Sequence, residues 1–189
     1  MRCFINFSLT GFSNCYLIGP DDGGDAIVID PGEMNIKLLN LIENNNFYIK
    51  HVLITHNHKP HTGGIRTLLK IYDAEIYSSS ENILGYPSNI ISPDSSLNLS
   101  GIEVKVMEFS GHTKDSLVYK IEKMLFTGDT LGAGSIGEEE NKETIALVSK
   151  SISEGIKELD DSILVFPSHG PPSTVKAEKD FNPELFLQA

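Results

Sequence analysis

The sequence of 189 residues predicts an α/β (α+β layered) fold in which helices cover β-sheets. Three observations predict this fold class. Short apolar runs of strand length open the chain, amphipathic helical patterns then alternate with further runs, and turns rich in Gly, Pro and Asp separate the units. The length and even texture predict a single domain over residues 1–189, with two small domains as the alternative.

Eight apolar runs are predicted as strands, because each has strand length and most are bounded by turn residues. They are Cys3–Phe7, Asn14–Ile18, Ala26–Asp30, His51–Thr55, Ile102–Phe109, Leu117–Glu122, Met124–Thr127 and Ile163–Pro167. Three segments are predicted as helices, because their apolar residues recur at helical spacing. They are Glu33–Asn44, the stripe from Ile65 to Tyr72 and the stripe from Ile145 to Leu159.

The composition narrows the range of partners and functions that the protein can have. Fifteen basic and twenty-six acidic side chains give a net charge of -11, which disfavours nucleic acid and anionic membranes as partners. A small-molecule substrate is therefore expected, and nothing in the sequence indicates an oligomeric state. The N-terminus lacks the apolar segment of a signal peptide, so a cytoplasmic protein is expected. The two cysteines, Cys3 and Cys15, are predicted to be free thiols, since two do not make a disulfide framework.

Histidine and aspartate recur just after the predicted strands, on connecting loops where a rigid scaffold can hold chemistry. Asp30 ends the third strand, and three histidines follow the fourth within THNHKPHTGG. The residues of this pattern are Asp30, His56, His58, His61, His112, Asp129 and His169. His51, which opens a predicted strand, is expected to be structural.

This pattern predicts a metal centre, since imidazole and carboxylate are common metal ligands. His56 and His58 are two residues apart and point the same way from extended backbone, so they can bind one ion together. His61 lies where the chain turns into a helix and would point elsewhere. Two neighbouring ions, with Asp129 placed to bridge them, suit this geometry. A lone strand-end histidine is more commonly a hydrogen-bonding residue, so the prediction rests on the whole set.

In order along the chain, THNHKPHTGG, SGHTKDS, FTGDTLGAGSIG and FPSHGPP resemble the metallo-β-lactamase superfamily. The opening NCYLI…AIVIDPG and the ending SHGPPSTVKAEKDFNPEL are similar to its glyoxalase II-type, hydroxyacylglutathione hydrolase-like branch. The resemblance runs from about Asn14 to Leu185. It implies a four-layer αβ/βα sandwich with the metals at one edge of two sheets.

The resemblance also implies roles for individual residues. His56, His58 and His112 would hold a first metal, His61 and His169 a second, and Asp129 would bridge them and act in catalysis. Asp30 would support the site through hydrogen bonds without ligating. One or two divalent ions are expected, zinc first, with iron and manganese also compatible with these ligands.

Pro60 departs from the family motif HxHxDH, in which an aspartate ligates the second metal and orients the attacking water. Proline offers neither an oxygen ligand nor an N–H group, but its fixed φ suits the first turn of a helix predicted to begin near Thr62. Pro60 should therefore leave the fold intact and weaken the second site. Three outcomes remain open: one metal only, a weakly bound second metal, or a second site in which water replaces the carboxylate.

Three further departures concern substrate and length. Gly132 and Glu138 stand where relatives carry an aromatic residue and an arginine, so Glu138 either disfavours an anionic substrate or belongs to a solvated helix start. Ser168 stands where glycine is usual. The chain ends about twenty residues after His169, so it is expected to lack the helical C-terminal domain of full glyoxalase II.

The first functional hypothesis is a hydrolase of a small thioester or ester that acts through metal-activated hydroxide, slowed by Pro60. The second is a mononuclear iron oxidoreductase similar to persulfide dioxygenases, in which His56 or His58 joins His112 and Asp129 around iron. The third is a metal-binding protein without turnover.

Overall fold

The computed structural model describes residues 1–109, 111–137 and 142–186, in two compact units. The first comprises Met1–Ile91 and Asn98–Ile102, and the second comprises Ser92–Leu97 and Glu103–Ala189. Each unit contains a β-sheet with helices packed on it, which confirms the predicted α/β class. The assignment of the whole chain to a single domain stays a prediction.

The first unit contains a six-stranded sheet, a small hairpin and three helices. The strands are β1 (Arg2–Phe7), β2 (Asn14–Gly19), β3 (Gly24–Ile29), β4 (Phe47–Leu53), β5 (Glu75–Ser78), β6 (Asn82–Ile83), β7 (Tyr86–Pro87) and β8 (Asn89–Ile90). The helices are α1 (Ile36–Asn44), α2 (Lys59–Thr62) and α3 (Ile65–Ile71). The sheet order is β1-β2-β3-β4-β5-β8, antiparallel from β1 to β3 and parallel from β3 to β8.

The core of this unit forms where α1 and α3 pack on one face of the sheet. Leu38 and Ile42, four residues apart on α1, are fully buried against strand residues such as Val28 and Val52. α1 begins at Ile36 because Asn35 caps it, its side chain accepting a hydrogen bond from the Leu38 N–H. The predicted start at Glu33 is therefore three residues too early.

The second unit is built on the other six-stranded sheet. Its strands are β10 (Ile102–Met107), β11 (Val118–Ile121), β12 (Met124–Gly128), β13 (Leu131–Gly132), β14 (Ser135–Ile136), β15 (Leu164–Pro167) and β16 (Ser173–Thr174), and β9 (Ser96–Leu99) lies at the boundary of the units along the chain. The helices are α4 (Lys142–Lys157), α5 (Val175–Phe181) and a 3-10 helix (Pro183–Phe186). The sheet order is β16-β15-β12-β11-β10-β9.

The core of the second unit lies between its sheet and α4. Val148, Ile152 and Ile156, spaced four residues apart, pack with strand residues such as Leu125 and Val165. No helix in the described part of the chain is long and apolar enough to cross a membrane.

Strand direction fixes where the predicted site residues emerge. β3 and β4 are parallel, so the residues that follow them leave the sheet at the same edge. In the second unit β11 is antiparallel to both β10 and β12, and β15 is parallel to β12. β10, β12 and β15 therefore run in one direction, and the loops that follow them also share an edge. Ligand sites form at such carboxyl-terminal edges.

All eight predicted strands are present, with ends that either coincide or differ by at most four residues. His51 was expected to open a strand, but it lies inside β4, which begins at Phe47. Its Nε2 hydrogen bonds with the Ser100 Oγ at 2.9 Å, in keeping with a structural role. The short strands β5, β6, β7, β8, β9, β13, β14 and β16 were not predicted because they hold too few residues for a periodic pattern, and α5 was not predicted because its sequence, VKAEKDF, has few apolar residues.

The helix that carries Pro60 begins at Lys59, three residues before the predicted start. Pro60 is its second residue, where an N–H group would have no partner inside the helix. The Pro60 carbonyl accepts a hydrogen bond from the Ser13 Oγ at 2.8 Å. A Cβ added at Gly32 would lie 1.7 Å from the same carbonyl oxygen, so the backbone at Gly32 and Pro60 is in close contact.

We expect Gly32→Ala to lower the free energy of unfolding by at least about 3 kcal/mol, because the new methyl group meets backbone that cannot move aside. Urea denaturation of both proteins measures this difference. Gly85→Ala is the matched control: its φ is +89° but its Cβ would meet no atom within 4 Å, so it should cost only about 1–2 kcal/mol. Equal losses in the two variants would contradict the close contact at Gly32.

Candidate metal centre

The metal-binding histidines predicted in the first unit lie just beyond the end of β4, next to the end of β3. The Asp30 N–H donates to the Leu53 carbonyl at 3.0 Å, which continues the pairing of the two parallel strands by one residue. Asp30 therefore lies beside the segment that leads from β4 to Thr55 and His56. The strand order in the sheet, rather than any local sequence signal, brings these two segments together.

Asp30 is a buried carboxylate, only 1% exposed. Its Oδ1 accepts from the Thr55 N–H at 2.8 Å, and its Oδ2 accepts from the Thr55 Oγ1 at 2.6 Å. The same Oδ2 lies 3.4 Å from the Nδ1 of His61. Asp30 thus contacts Thr55 and lies beside His61, an arrangement that suits the predicted supporting role.

Thr55 connects this carboxylate to His56. The Thr55 Oγ1 lies 3.1 Å from the His56 Nδ1. Because the Thr55 hydroxyl proton is donated to Asp30, its oxygen accepts from a protonated Nδ1 of His56. This contact leaves the Nε2 lone pair of His56 available for a metal, as hydrogen bonds to the far nitrogen do in many metal sites.

The nitrogens of the histidine cluster fit one metal ion. The His56 Nε2 and the His58 Nδ1 are 3.1 Å apart. Two nitrogen ligands of a tetrahedral zinc, each at about 2.0–2.1 Å, lie about 3.3 Å apart. The distance is compatible with both nitrogens binding one ion, and the joint binding of one ion by His56 and His58 stays a prediction.

His61 belongs to the same cluster but leaves the backbone differently. It lies in α2 and is fully buried, and its ring centroid is 4.2 Å from that of His56. His58 is the N-cap residue of α2, and its carbonyl accepts from the N–H groups of His61 and Thr62. The start of the helix thus separates His61 from His56 and His58, as the sequence predicted. The backbone that joins His56 to His58 is not extended as expected, because it bends at His56 and the His58 N–H donates to the His56 carbonyl at 3.1 Å.

In the second unit, His112, Asp129 and His169 follow the parallel-running strands β10, β12 and β15. The His112 Nε2 lies 3.5 Å from the Asp129 Oδ2, and the His169 Nε2 lies 3.5 Å from the Asp129 Oδ1. Each carboxylate oxygen therefore faces a different imidazole. A carboxylate in this position can serve two ions at once, which is the bridging role predicted for Asp129.

Backbone contacts fix the loops that carry these three residues. His112 has a φ of +55° and follows Gly111, whose φ is +142°. A Cβ added at Gly137 would lie 2.6 Å from the Asp129 carbonyl oxygen and 3.2 Å from the His112 Cβ.

Hydrogen bonds hold the loops that follow β12 and β15. The Thr127 Oγ1 donates to the Leu131 carbonyl at 2.6 Å and so closes the loop around Asp129. Ser168, buried here, donates its N–H to the Gly128 carbonyl.

The three side chains of the second unit open into a cleft of about 380 Å³. One wall of the cleft is the β13–β14 hairpin. The residues that line the cleft include Gly132, Ser135 and Ile136 of the hairpin and His112, Asp129 and His169. Glu138, for which the sequence allowed two interpretations, lies outside the described residues.

The cysteines are free thiols, as predicted. Cys15 is fully buried. Its burial raises the pKa of its thiol, and the nearby Asp30 charge raises this pKa further. Burial raises the pKa of the Cys3 thiol to about 11. Both therefore stay protonated at neutral pH and are poor metal ligands.

Sequence reasoning missed the part that Thr55 plays. Its only sequence signal was its position, directly before His56 at the end of an apolar run. A hydroxyl there can contact both the following imidazole and a carboxylate on the neighbouring strand, but the identity of that neighbour depends on the sheet order. The pattern of histidines could not supply that information.

Comparison with known proteins agrees with the geometry. The family description "Metallo-beta-lactamase superfamily" matches residues 9–108. The chain is 35% identical over 172 residues to hydroxyacylglutathione hydrolase of Francisella tularensis subsp. novicida. This alignment covers 89% of this chain and 66% of that protein. It is 28% identical over 219 residues to an uncharacterised protein of Mycobacterium tuberculosis, with 94% of this chain and 97% of that protein covered.

A solved structure has the same fold. The crystal structure of BLEG-1 B3 metallo-beta-lactamase superposes with a TM-score of 0.85 over 98% of this chain and 100% of that chain, at 24% identity. The chain therefore belongs to the metallo-β-lactamase superfamily and has its fold, as the motifs predicted. The hydroxyacylglutathione hydrolase relatives support the glyoxalase II-like branch, although the chain spans only about two thirds of the Francisella protein.

We expect Thr55→Val to lower zinc affinity about 10–100-fold, because it removes the hydroxyl between Asp30 and His56 while keeping the side-chain shape. Competition with a chromogenic chelator measures the affinity, and thermal unfolding of the metal-free protein reports any separate loss of stability. Thr67→Val, at an exposed position on α3, is the matched control and should bind zinc like the wild type. Unchanged zinc affinity in Thr55→Val would remove Thr55 from the metal centre.

Proposed function

We propose that the protein binds one or two divalent metal ions and hydrolyses a small thioester or ester. The observation that carries the proposal is the placing of each Asp129 carboxylate oxygen beside a different histidine, which is how a carboxylate shared by two ions would be arranged. Membership of the superfamily and a relative named hydroxyacylglutathione hydrolase support the reaction class.

The proposed ligand set follows the order of motifs along the chain. His56, His58 and His112 would hold the first ion, His61 and His169 the second, and Asp129 both. The donor atoms are imidazole nitrogens and one carboxylate, a set suited to zinc and also accepted by iron and manganese. When bound, such an ion lowers the pKa of a coordinated water towards neutrality and polarises an acyl carbonyl.

Asp129 is the residue proposed to act directly in catalysis. Pro60 has no oxygen in its side chain, so Asp129 is the carboxylate left in the proposed ligand set to accept a hydrogen bond from the attacking water and orient it. Water adds to the acyl carbon, the carbon–sulfur bond breaks, and the products are a carboxylic acid and a thiol. Slow turnover is expected, since one carboxylate does the work that two do in HxHxDH relatives.

Asp30 and Thr55 would act without touching the substrate. Their hydrogen bonds hold the imidazole of His56 with its Nδ1 protonated, and Asp30 lies beside the Nδ1 of His61. Fixed tautomers keep the metal-facing nitrogens ready and avoid a reorganisation cost at each catalytic cycle. This support lies within the first unit and is in place before any substrate binds.

The proposal is tested first by elemental analysis of freshly purified protein and by hydrolysis of a 2-hydroxyacyl thioester of glutathione. We expect one to two equivalents of zinc and measurable hydrolysis. His112→Ala should lose the first ion and reduce kcat/KM at least about 100-fold. His51→Ala, which removes a histidine from β4 outside the site, is the matched control and should keep both properties.

Each other outcome contradicts part of the proposal. Full metal binding by His112→Ala at wild-type affinity would overturn the ligand assignment. One iron per chain, with oxygen uptake on a persulfide and no thioester hydrolysis, would favour the oxidoreductase. Bound metal with neither activity would favour the protein without turnover.

Pro60→Asp should raise the metal content towards two equivalents and increase kcat about tenfold or more, because it supplies a carboxylate beside His61. The substitution suits the backbone, since position 60 lies in the first turn of α2, where a negative charge is favourable. Pro60→Ala separates the gain of a carboxylate from the loss of proline, and it should match the wild type. Identical metal contents in the Asp and Ala variants would show that position 60 does not reach the second ion.

A further inference from the structure

The β13–β14 hairpin is a thin wall of the cleft. Each of its strands has two residues, Leu131–Gly132 pairing with Ser135–Ile136. Gly132, Ser135 and Ile136 line the cleft together with the site residues of the second unit. Isolated two-stranded hairpins are marginal even when longer, and the glycines of this one add conformational freedom to the open state. The hairpin therefore needs support from elsewhere in the unit.

The C-terminal segment provides this support through side chains that bind the hairpin backbone. The Glu178 Oε2 accepts from the Gly134 N–H at 3.1 Å, and the Glu184 Oε2 accepts from the Ile136 N–H at 2.5 Å. Between them, the Asn182 Nδ2 donates to the Ser135 carbonyl at 3.3 Å. Three consecutive residues of the hairpin thus each give one backbone group to a side chain of the segment 178–184.

The Asn182 side chain also joins the Glu178 side chain to the Glu184 backbone. Asn182 donates from its Nδ2 to the Glu178 Oε2 at 2.8 Å, and its Oδ1 accepts from the Glu184 N–H at 3.0 Å. Glu178 is 2% exposed and Asn182 is 1% exposed. A buried carboxylate is costly unless hydrogen bonds offset its desolvation, so the Glu178 carboxylate needs the Gly134 N–H and the Asn182 amide, and these bonds fix the hairpin to the segment 178–184.

We propose that Glu178, Asn182 and Glu184 are positioning residues that hold the hairpin wall of the cleft in the shape that binds the acyl substrate. They act through the backbone of Gly134, Ser135 and Ile136 and do not line the cleft themselves. The identity of the substrate rests on the function proposed above, whereas the holding of the hairpin does not.

Glu184→Ala tests this role, because it removes the acceptor for the Ile136 N–H. Amide hydrogen exchange at Ile136 should become about tenfold faster or more. KM for the 2-hydroxyacyl glutathione thioester should rise about tenfold, while kcat stays within about threefold and the metal content is unchanged. Glu184→Gln keeps an oxygen acceptor and should restore both the exchange rate and KM.

Asp180→Ala is the matched control. Asp180 belongs to the same segment and carries the same charge, but it is exposed and pairs with Lys176 at 2.9 Å. This variant should leave exchange in the hairpin and KM unchanged. The comparison separates the loss of one contact from the loss of one negative charge.

Two results would overturn the proposal: unchanged exchange at Ile136 in Glu184→Ala, or faster exchange with unchanged KM. A parallel fall of kcat and metal content at constant KM would assign the segment a merely structural role. If the wild type does not hydrolyse the thioester, its Kd, measured by calorimetry, replaces KM. If it does not bind the thioester either, the proposed substrate class is wrong, and the exchange rates alone decide whether the segment holds the hairpin.

Discussion

The buried carboxylate of Asp30 is the constraint on which the metal-binding side of the first unit depends. A charge that is 1% exposed must find donors inside the protein, and Thr55 supplies both its N–H and its hydroxyl. Meeting this requirement fixes the loop after β4, and the hydroxyl oxygen then sets the tautomer of His56. The requirement of one buried group thus determines the chemistry of a neighbour that it does not touch.

In the second unit, the predicted ligand residues are held in place by a different set of contacts. Its Asp129 is partly exposed, and the loops around it are held by backbone contacts, threonine hydroxyls and glycines whose missing Cβ leaves room for neighbouring backbone. Its own deeply buried carboxylate, Glu178, supports the hairpin wall and not the histidines. Buried charge therefore orders the ligands in one unit and the cleft wall in the other.

The sequence predicted the fold class and every long element, because long runs carry a clear period of two or of 3.6 residues. It also predicted that the site residues follow strands, and strand direction then brings His112, Asp129 and His169 to one edge. It could not show that Thr55 meets Asp30, since that contact depends on which strands are neighbours. Nor could it show the bonds of Asn182 and Glu184 to the hairpin, which join residues nearly fifty positions apart.

The way in which position 60 is held has a bearing on how such sites evolve. Its backbone is fixed by its carbonyl group, which Ser13 and Gly32 contact, and this attachment is independent of the side chain. A substitution at position 60 can therefore change the chemical group beside His61 while the main chain stays where it is. The side chain at this position can therefore be exchanged in evolution while the backbone contacts around it are kept.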